Sequence, residues 1–206
     1  MSGVVHVDRR SFLASVAAVG GALALGFEIP FGARAVHASS AAREITAWIV
    51  IEPDETVIIR VAKSEMGQGS FTALPMLVAE ELECDWSKVK AEFVSPQENR
   101  RRDRVWGNMS TGASRSISAS QNDLRCAGAT ARTMLIAAAA ARWNVPETEC
   151  AADRGVITHL PSGRTITFGR IAAAAADIAP PAQVALKDPK DWTLIGTRQK
   201  RFDVAD

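Results

Sequence analysis

An α+β fold, with strands and helices in mixed order, is what this sequence predicts, and three observations predict it. Two β-branched runs, residues 44–51 and 56–61, flank the turn residues Pro53-Asp54-Glu55. A long alanine-rich stretch, from about residue 114 to residue 143, has the strongest helical pattern in the chain. A second strand pair, residues 155–160 and 164–168, is joined by Pro161-Ser162-Gly163 and reads as a β-hairpin. No segment repeats at solenoid spacing, which excludes a stacked-repeat architecture.

In chain order, the first element is an address. Asp8-Arg9-Arg10-Ser11-Phe12-Leu13 has the form of a twin-arginine export signal, and an apolar stretch rich in Ala and Gly follows. It ends near Val36-His37-Ala38, small residues of the kind a signal peptidase reads. Residues 1–38 are therefore expected to direct export of the folded chain to the periplasm. An uncleaved anchor or a plain amphipathic helix is the alternative. A membrane span wants about 20 apolar residues, and this stretch is shorter and broken by Gly20, Gly21 and Gly26.

The mature part opens with the strand over 44–51 and its return over 56–61. Residues 71–83 read as a helix, with Leu74, Leu77, Val78 and Leu82 on one face and Glu80, Glu81 and Glu83 off it, toward solvent. Pro75 fits only in a first turn, so this helix is expected to begin a few residues after Gly69. Residues 88–94 read as a strand, and residues 96–108 as a polar, arginine-rich loop. The long helix follows, its alanines suited to close packing against a neighbour, and Asn144-Val145-Pro146 ends it. After the hairpin comes a short alanine-rich helix over 169–178. Residues 39–179 are thus expected to form the domain proper. Residues 180–206, weakly periodic and rich in Pro and Lys, read as a linker toward a further domain.

Composition bounds the function. The chain has 206 residues, and loss of the leader would leave about 168, enough for a hydrophobic core. Lys and Arg number 24 against 23 Asp and Glu, so nothing points to nucleic acid as a partner. The three cysteines, Cys84, Cys126 and Cys150, form no C-x-x-C pair, which excludes a zinc or iron–sulfur site in this chain. Their odd number leaves at least one thiol unpaired, and each reads as a buried small apolar residue. His6 and His37 lie in the leader and His159 beside a hairpin turn. No His–Asp–Ser set and no carboxylate pair emerges, so no catalytic residue and no metal ligand is assigned.

Two segments carry the chemistry. The first is Lys63-Ser64-Glu65-Met66-Gly67-Gln68-Gly69-Ser70, between a strand and a helix. Gly67 and Gly69 let the backbone turn tightly and approach a bound group. Amides at the following helix start can meet a phosphate or a polarised oxygen, and Gln68 offers a donor and an acceptor at the loop tip. The same residues also make a plain strand–turn–helix connection. The second segment is Thr111-Gly112-Ala113-Ser114-Arg115-Ser116-Ile117-Ser118, directly before the long helix. Its hydroxyls can hold a polyanion, whereas ordinary N-capping uses one and leaves the others without a job. The run Arg100-Arg101-Arg102 with Arg104 faces phosphates or, as such runs more often do, solvent.

Together these segments resemble a family. Glu65-Met66-Gly67-Gln68-Gly69, then Thr72-Ala73-Leu74-Pro75-Met76 and Ala79-Glu80-Glu81-Leu82, is similar to the molybdenum hydroxylases of the xanthine oxidase family. The likeness is strongest to the branch that holds the isoquinoline 1-oxidoreductase β-subunits, large subunits that carry a twin-arginine leader. Thr111-Gly112-Ala113-Ser114-Arg115-Ser116, Leu124-Arg125 and Ala127-Gly128-Ala129 continue it, and Leu194-Ile195-Gly196 with Arg201-Phe202-Asp203-Val204 resembles that branch's approach to its next domain.

The resemblance implies part of a molybdopterin-binding domain. It implies that Met66, Gly67, Gln68 and Gly69 lie against the molybdopterin, with Gln68 hydrogen-bonding it, and that Thr111, Ser114 and Ser116 meet the pterin and its phosphates. The implied cofactor is molybdopterin cytosine dinucleotide. The implied function is a component of an oxidoreductase that hydroxylates N-heterocycles or oxidises aldehydes. Iron–sulfur clusters are expected only on a partner, a 2Fe–2S subunit, alongside the remaining large-subunit catalytic chain and a cytochrome c acceptor. The family's Gly-Gly-Phe-Gly loop and late Gly-x-Gly-Glu segment have no counterpart here. That glutamate is the general base, a contribution of typically about 10²–10⁴-fold, so this chain alone is expected to be inactive. A separately encoded subunit and a truncated product both fit that departure. A non-catalytic exported binding or scaffolding protein is the competing reading.

Overall fold

The structure is a computed structural model that describes residues 43–204. The export signal expected over 1–38 lies outside the described residues.

A four-stranded sheet carries the first half. Strands β1 (Arg43–Thr46), β2 (Ile49–Ile51), β3 (Val57–Val61) and β4 (Val89–Phe93) lie in sequence order. β1–β2 and β2–β3 are antiparallel, and β3–β4 is parallel. The expected single strand over 44–51 is two strands folded back at Ala47 and Trp48, with an irregular register between Glu44 and Thr46. Nothing local marks this turn, because neither residue is Gly, Asn or Asp. It is held from afar: the Ala47 carbonyl accepts from the Arg60 guanidinium at 3.0 Å and from Trp106 Nε1 at 2.8 Å. The second turn is local, with Asp54 Oδ1 accepting from the Thr56 amide at 3.0 Å.

Helix α1 (Ser70–Leu82) makes the crossover between the parallel strands β3 and β4. It starts directly after Gly69, earlier than expected, which places Pro75 beyond the first turn. Pro75 is buried, and its ring joins the apolar face while its missing N–H removes one helical bond. Leu74, Leu77, Val78 and Leu82 face the core as expected. Glu80 and Glu81, expected in solvent, are instead 2% and 0% exposed. Helical periodicity marked the apolar face correctly but could not show that a distant segment covers the other one.

The arginine-rich stretch holds a short helix, α2 (Pro96–Arg101), capped by Ser95. Arg101 pairs with Glu98, and Arg102 pairs with Glu44 while lying 4.8 Å from the Trp106 ring. Helix α3 (Gln121–Trp143) is the long alanine-rich helix, and it starts later than expected. Residues 114–120 form turns, with Ala113 and Ser114 in the left-handed region at φ 52° and 53°. Asn144 closes α3, its amide donating to Ala140 and Ala141.

α3 packs on α1 with almost no gap. A methyl group at Gly128 would lie 2.4 Å from the Val78 carbonyl oxygen and 2.9 Å from Glu81 Cβ. Ala127, Ala131 and Leu135 extend the buried face of α3.

Strands β5 (Cys150–Asp153), β6 (Val156–His159) and β7 (Arg164–Thr167) form an antiparallel meander. The hairpin β6–β7 was expected; β5, which lacks a β-branched residue, was not. Buried His159 links the meander: Nε2 meets Glu149 at 2.8 Å and Nδ1 meets Ser162 at 2.6 Å. Helix α4 (Phe168–Ala176) returns to the first sheet, and the Gly169 amide donates to Glu55 at 2.9 Å. Cys84, Cys126 and Cys150 are free thiols, and burial pushes Cys84 up to about 12.

Residues 180–204 contain one 3-10 turn (Pro189–Asp191) and otherwise run without regular structure along α1. Among the described residues, no helix is long and apolar enough to cross a membrane.

Candidate cofactor site

The turn from β3 into α1 is built around one carboxylate. Glu65 Oε1 accepts from the Gly67 amide at 2.7 Å and the Gly69 amide at 2.9 Å. Its Oε2 accepts from the Phe71 amide at 2.8 Å, in the first turn of α1. Burial raises the Glu65 pKa, but the three amides outweigh it and hold the carboxyl below its ordinary value. Glu65 therefore does the work of a cap for α1, whose Gly69 has no side chain to give. Sequence reasoning left Glu65 without a role. A glutamate ahead of Gly-x-Gly and a helix that lacks a Ser, Thr, Asp or Asn cap was the available signal.

The glycines are needed for backbone shape. Gly67 and Gly69 sit at φ 99° and 82°, where other residues are strained. A methyl group built on either meets nothing within 4 Å, so the outer edge of the loop is open. Met66 is 70% exposed beside them. Gln68 is turned onto its own loop: Nε2 donates to Ser64 O at 2.7 Å and Ser70 Oγ at 2.8 Å, and Oε1 accepts from the Met66 amide at 2.6 Å. Both donor hydrogens of Gln68 are thus used within the loop.

The structure joins the two predicted segments through Thr111, whose Oγ1 accepts from the Ser64 amide at 2.8 Å. Lys63 strengthens the join, donating to Asn108 O at 2.5 Å and to Ser110 O at 3.1 Å. Ser114 is exposed and Ser116 is buried, both in the turns that lead to α3.

Between the end of β3, residues 106–112 and the start of α3 lies a cavity of about 270 Å³. Arg60, Lys63, Trp106, Arg115 and Asp123 line it, with Ser110 and Gly112 at the second segment. Met66 to Gly69, Thr111, Ser114 and Ser116 are not among its lining residues. Burial first, then the nearby Arg115 charge, holds the Lys63 ammonium below the ordinary lysine range. Two like charges facing one cavity favour an anion there. Sequence reasoning named neither Lys63 nor Arg115 as a site residue, because only the contact between segments places them together.

The anionic part of a molybdopterin fits the cavity in charge, where Arg60, Lys63 and Arg115 outnumber Asp123, and the glycine loop outside the cavity leaves an open edge. The fit is poorer at the amides of Gly67 and Gly69, which Glu65 already engages. No group of three or more His, Cys, Asp or Glu side chains that could hold a metal ion occurs among the described residues.

A family model described as molybdopterin cofactor-binding domain matches residues 9–202. The β chain of isoquinoline 1-oxidoreductase from Brevundimonas diminuta is 34% identical over 82% of this chain and 22% of its own length. A membrane-bound aldehyde dehydrogenase (pyrroloquinoline-quinone) from Gluconacetobacter polyoxogenes is 30% identical over 96% of this chain and 26% of its own. One of the subunits of nicotinate dehydrogenase from Pseudomonas putida is 28% identical over 79% of this chain and 13% of its own. The chain spans about a quarter or less of the length of these relatives. A match across nearly all the described residues means that this chain belongs to the molybdopterin cofactor-binding domain family.

Proposed function

We propose that this chain supplies one wall of the molybdenum-cofactor site of a multi-subunit oxidoreductase. The observation that carries the reading is the joined pair of loops, Ser64 to Thr111, beside a cavity lined by Lys63 and Arg115. In this reading Lys63 and Arg115 bind the anionic part of molybdopterin cytosine dinucleotide. The hydroxyls of Thr111, Ser114 and Ser116 orient it, and Met66, Gly67 and Gly69 give its rings room. Gln68 and Glu65 hold the loop in shape. The bound cofactor supplies the two-electron redox chemistry, and oxidation of an N-heterocycle or an aldehyde is the activity that follows. The general base and the iron–sulfur clusters come from partners, the remaining catalytic chain and a 2Fe–2S subunit, with a cytochrome c as acceptor. Export of the folded chain to the periplasm by the twin-arginine route suits a protein that acquires its cofactor before leaving the cell.

The test is the molybdenum and cytosine-nucleotide content of the full chain, affinity-purified from the periplasm of its native host with everything bound to it. Near-stoichiometric metal in a complex with larger chains is expected. Gln68→Ala should lower that content severalfold, because the hydrogen bonds that brace the loop are lost. A metal-free, solitary chain would overturn the proposal. It would favour a non-catalytic binding protein, a reading to which the internally satisfied Gln68 and glycine amides lend support.

A further inference from the structure

The glycine loop is touched by a residue from the far end of the chain. Arg201 Nη1 donates to the Gly67 carbonyl at 3.2 Å, and Nη2 lies 3.4 Å from Glu65 Oε1. That carboxylate oxygen is the one that accepts from the Gly67 and Gly69 amides. Asp203 fixes the guanidinium from the other side, accepting from Nε at 3.0 Å and Nη2 at 2.5 Å. Arg201 thus meets the loop at its one organising carboxylate and at the carbonyl of a left-handed glycine.

How Arg201 comes to be there is fixed along α1. Glu80 accepts from the backbone amides of Thr193, Leu194 and Ile195 at 3.1, 2.7 and 2.9 Å, and from Lys187 Nζ at 2.6 Å. Glu81 accepts from the Lys187 amide at 3.0 Å. Further on, the Phe202 amide donates to Thr72 Oγ1 at 2.9 Å, and its ring stacks on Trp86 with centroids 5.0 Å apart. Three anchors in a row hold this segment, at the end of α1, beside Trp86 and at the start of α1.

We propose that residues 185–203 are a latch whose seating on Glu80 and Glu81 sets the shape of the Glu65–Gly69 loop, with Arg201 as the positioning residue. The consequence for the cofactor rests on the reading given under Proposed function; the mechanical coupling does not. A guanidinium is required because its planar fork reaches a carbonyl and a carboxylate at once while held by a third group, which an ammonium cannot do.

The experiment is amide hydrogen exchange on the full chain, purified with its bound partners, with pterin and molybdenum content measured on the same samples. Arg201→Ala should speed exchange at the Gly67 and Gly69 amides about tenfold, as loss of a charge-assisted bond does. The amides of Leu77 and Val78, in the middle of α1, should keep their protection. Arg201→Lys should recover only part of the loss. Glu80→Gln should release the amides of 193–195 and loosen the loop too, although Arg201 is intact. Unchanged loop exchange in Arg201→Ala would overturn the latch, whether or not Glu80→Gln folds. If the loop responds as expected while the unaltered protein carries no pterin, the latch stands and the cofactor reading falls. If the unaltered protein carries pterin and the loop ignores Arg201→Ala, the cofactor reading stands and the latch falls.

Discussion

A carboxylate taken out of water costs several kcal/mol unless other donors replace its hydration, and α1 buries two of them side by side. At Glu80 the replacement is three peptide amides and one lysine. At Glu81 it is Arg125, whose Nε donates at 2.8 Å, together with the Lys187 amide. Arg125 is itself largely covered, donating to the Lys187 carbonyl at 2.6 Å and lying 5.2 Å from the Trp192 ring. Arg125→Met should therefore destabilise by about 3 kcal/mol, because it leaves the buried Glu81 charge only the Lys187 amide and Arg132 at 3.9 Å. Urea unfolding reads the loss. The companion change Glu81→Gln should partly restore stability when added to Arg125→Met, since it removes the stranded charge. At this scale the sequence was least informative. Glu80 and Glu81 lie off the apolar stripe, and their partners are more than a hundred positions away for the peptide donors, 44 for Arg125.

Elements were better legible, and the reasons differ from one to the next. Apolar spacing at 3.6 residues marked α1 and α3, and Asn144 marked the end of α3 by its tolerance of the left-handed region. The start of α3 was misplaced by seven residues because the backbone there runs in successive turns, held by bonds such as Ser120 N–H to the Ile117 carbonyl, which residue spacing does not distinguish from helix. Ala113 and Ser114 take left-handed conformations, and the turns persist until Ser120, which precedes the helix without a side-chain cap. The helix pair α1–α3 is the most demanding contact between elements. Gly128 brings the two backbones within reach of each other, and its neighbour is a carbonyl oxygen that cannot rotate aside. Gly128→Ala should cost about 1–3 kcal/mol as overpacking, read as a lower urea midpoint. At Gly67 and Gly69, Ala would meet no neighbour within 4 Å. Substitution there acts through backbone strain, and its effect should show in the loop more than in global stability.

For the whole molecule, pH tests the way the parts are joined. Burial raises the Glu80 pKa, yet Lys187 and the three peptide amides outweigh it and hold the carboxyl below its ordinary value. Glu65 is held low in the same way by the loop amides. A depressed folded pKa contributes stability that is full above the ordinary carboxylate range, about 4.3, and is lost as pH falls through the folded value. Unfolding free energy should therefore be flat near neutrality and fall below about pH 4.5. In Glu80→Gln the acid slope should be shallower, and urea midpoints taken between neutral pH and pH 3 would show it. The two loops of the candidate site were readable as motifs, because glycine and hydroxyl clusters announce backbone shape and donor supply. Glu65, Lys63, Arg115 and Arg201 were not, since each acquires its role from a residue brought near by folding.

The seating of residues 187–195 on α1 also fixes an order of events. A ribosome delivers α1 long before it delivers the amides that Glu80 accepts, which lie 113 to 115 positions later. During that interval the helix carries two carboxylates that cannot be buried without a penalty, so its close packing on α3 has to wait. A segment made more than a hundred positions later is the one that lets α1 settle, so the α1–α3 pair becomes native only once that segment exists. Such long-range closure makes for slow, late folding, and it gives a nascent or interrupted chain no stable resting place short of residue 195.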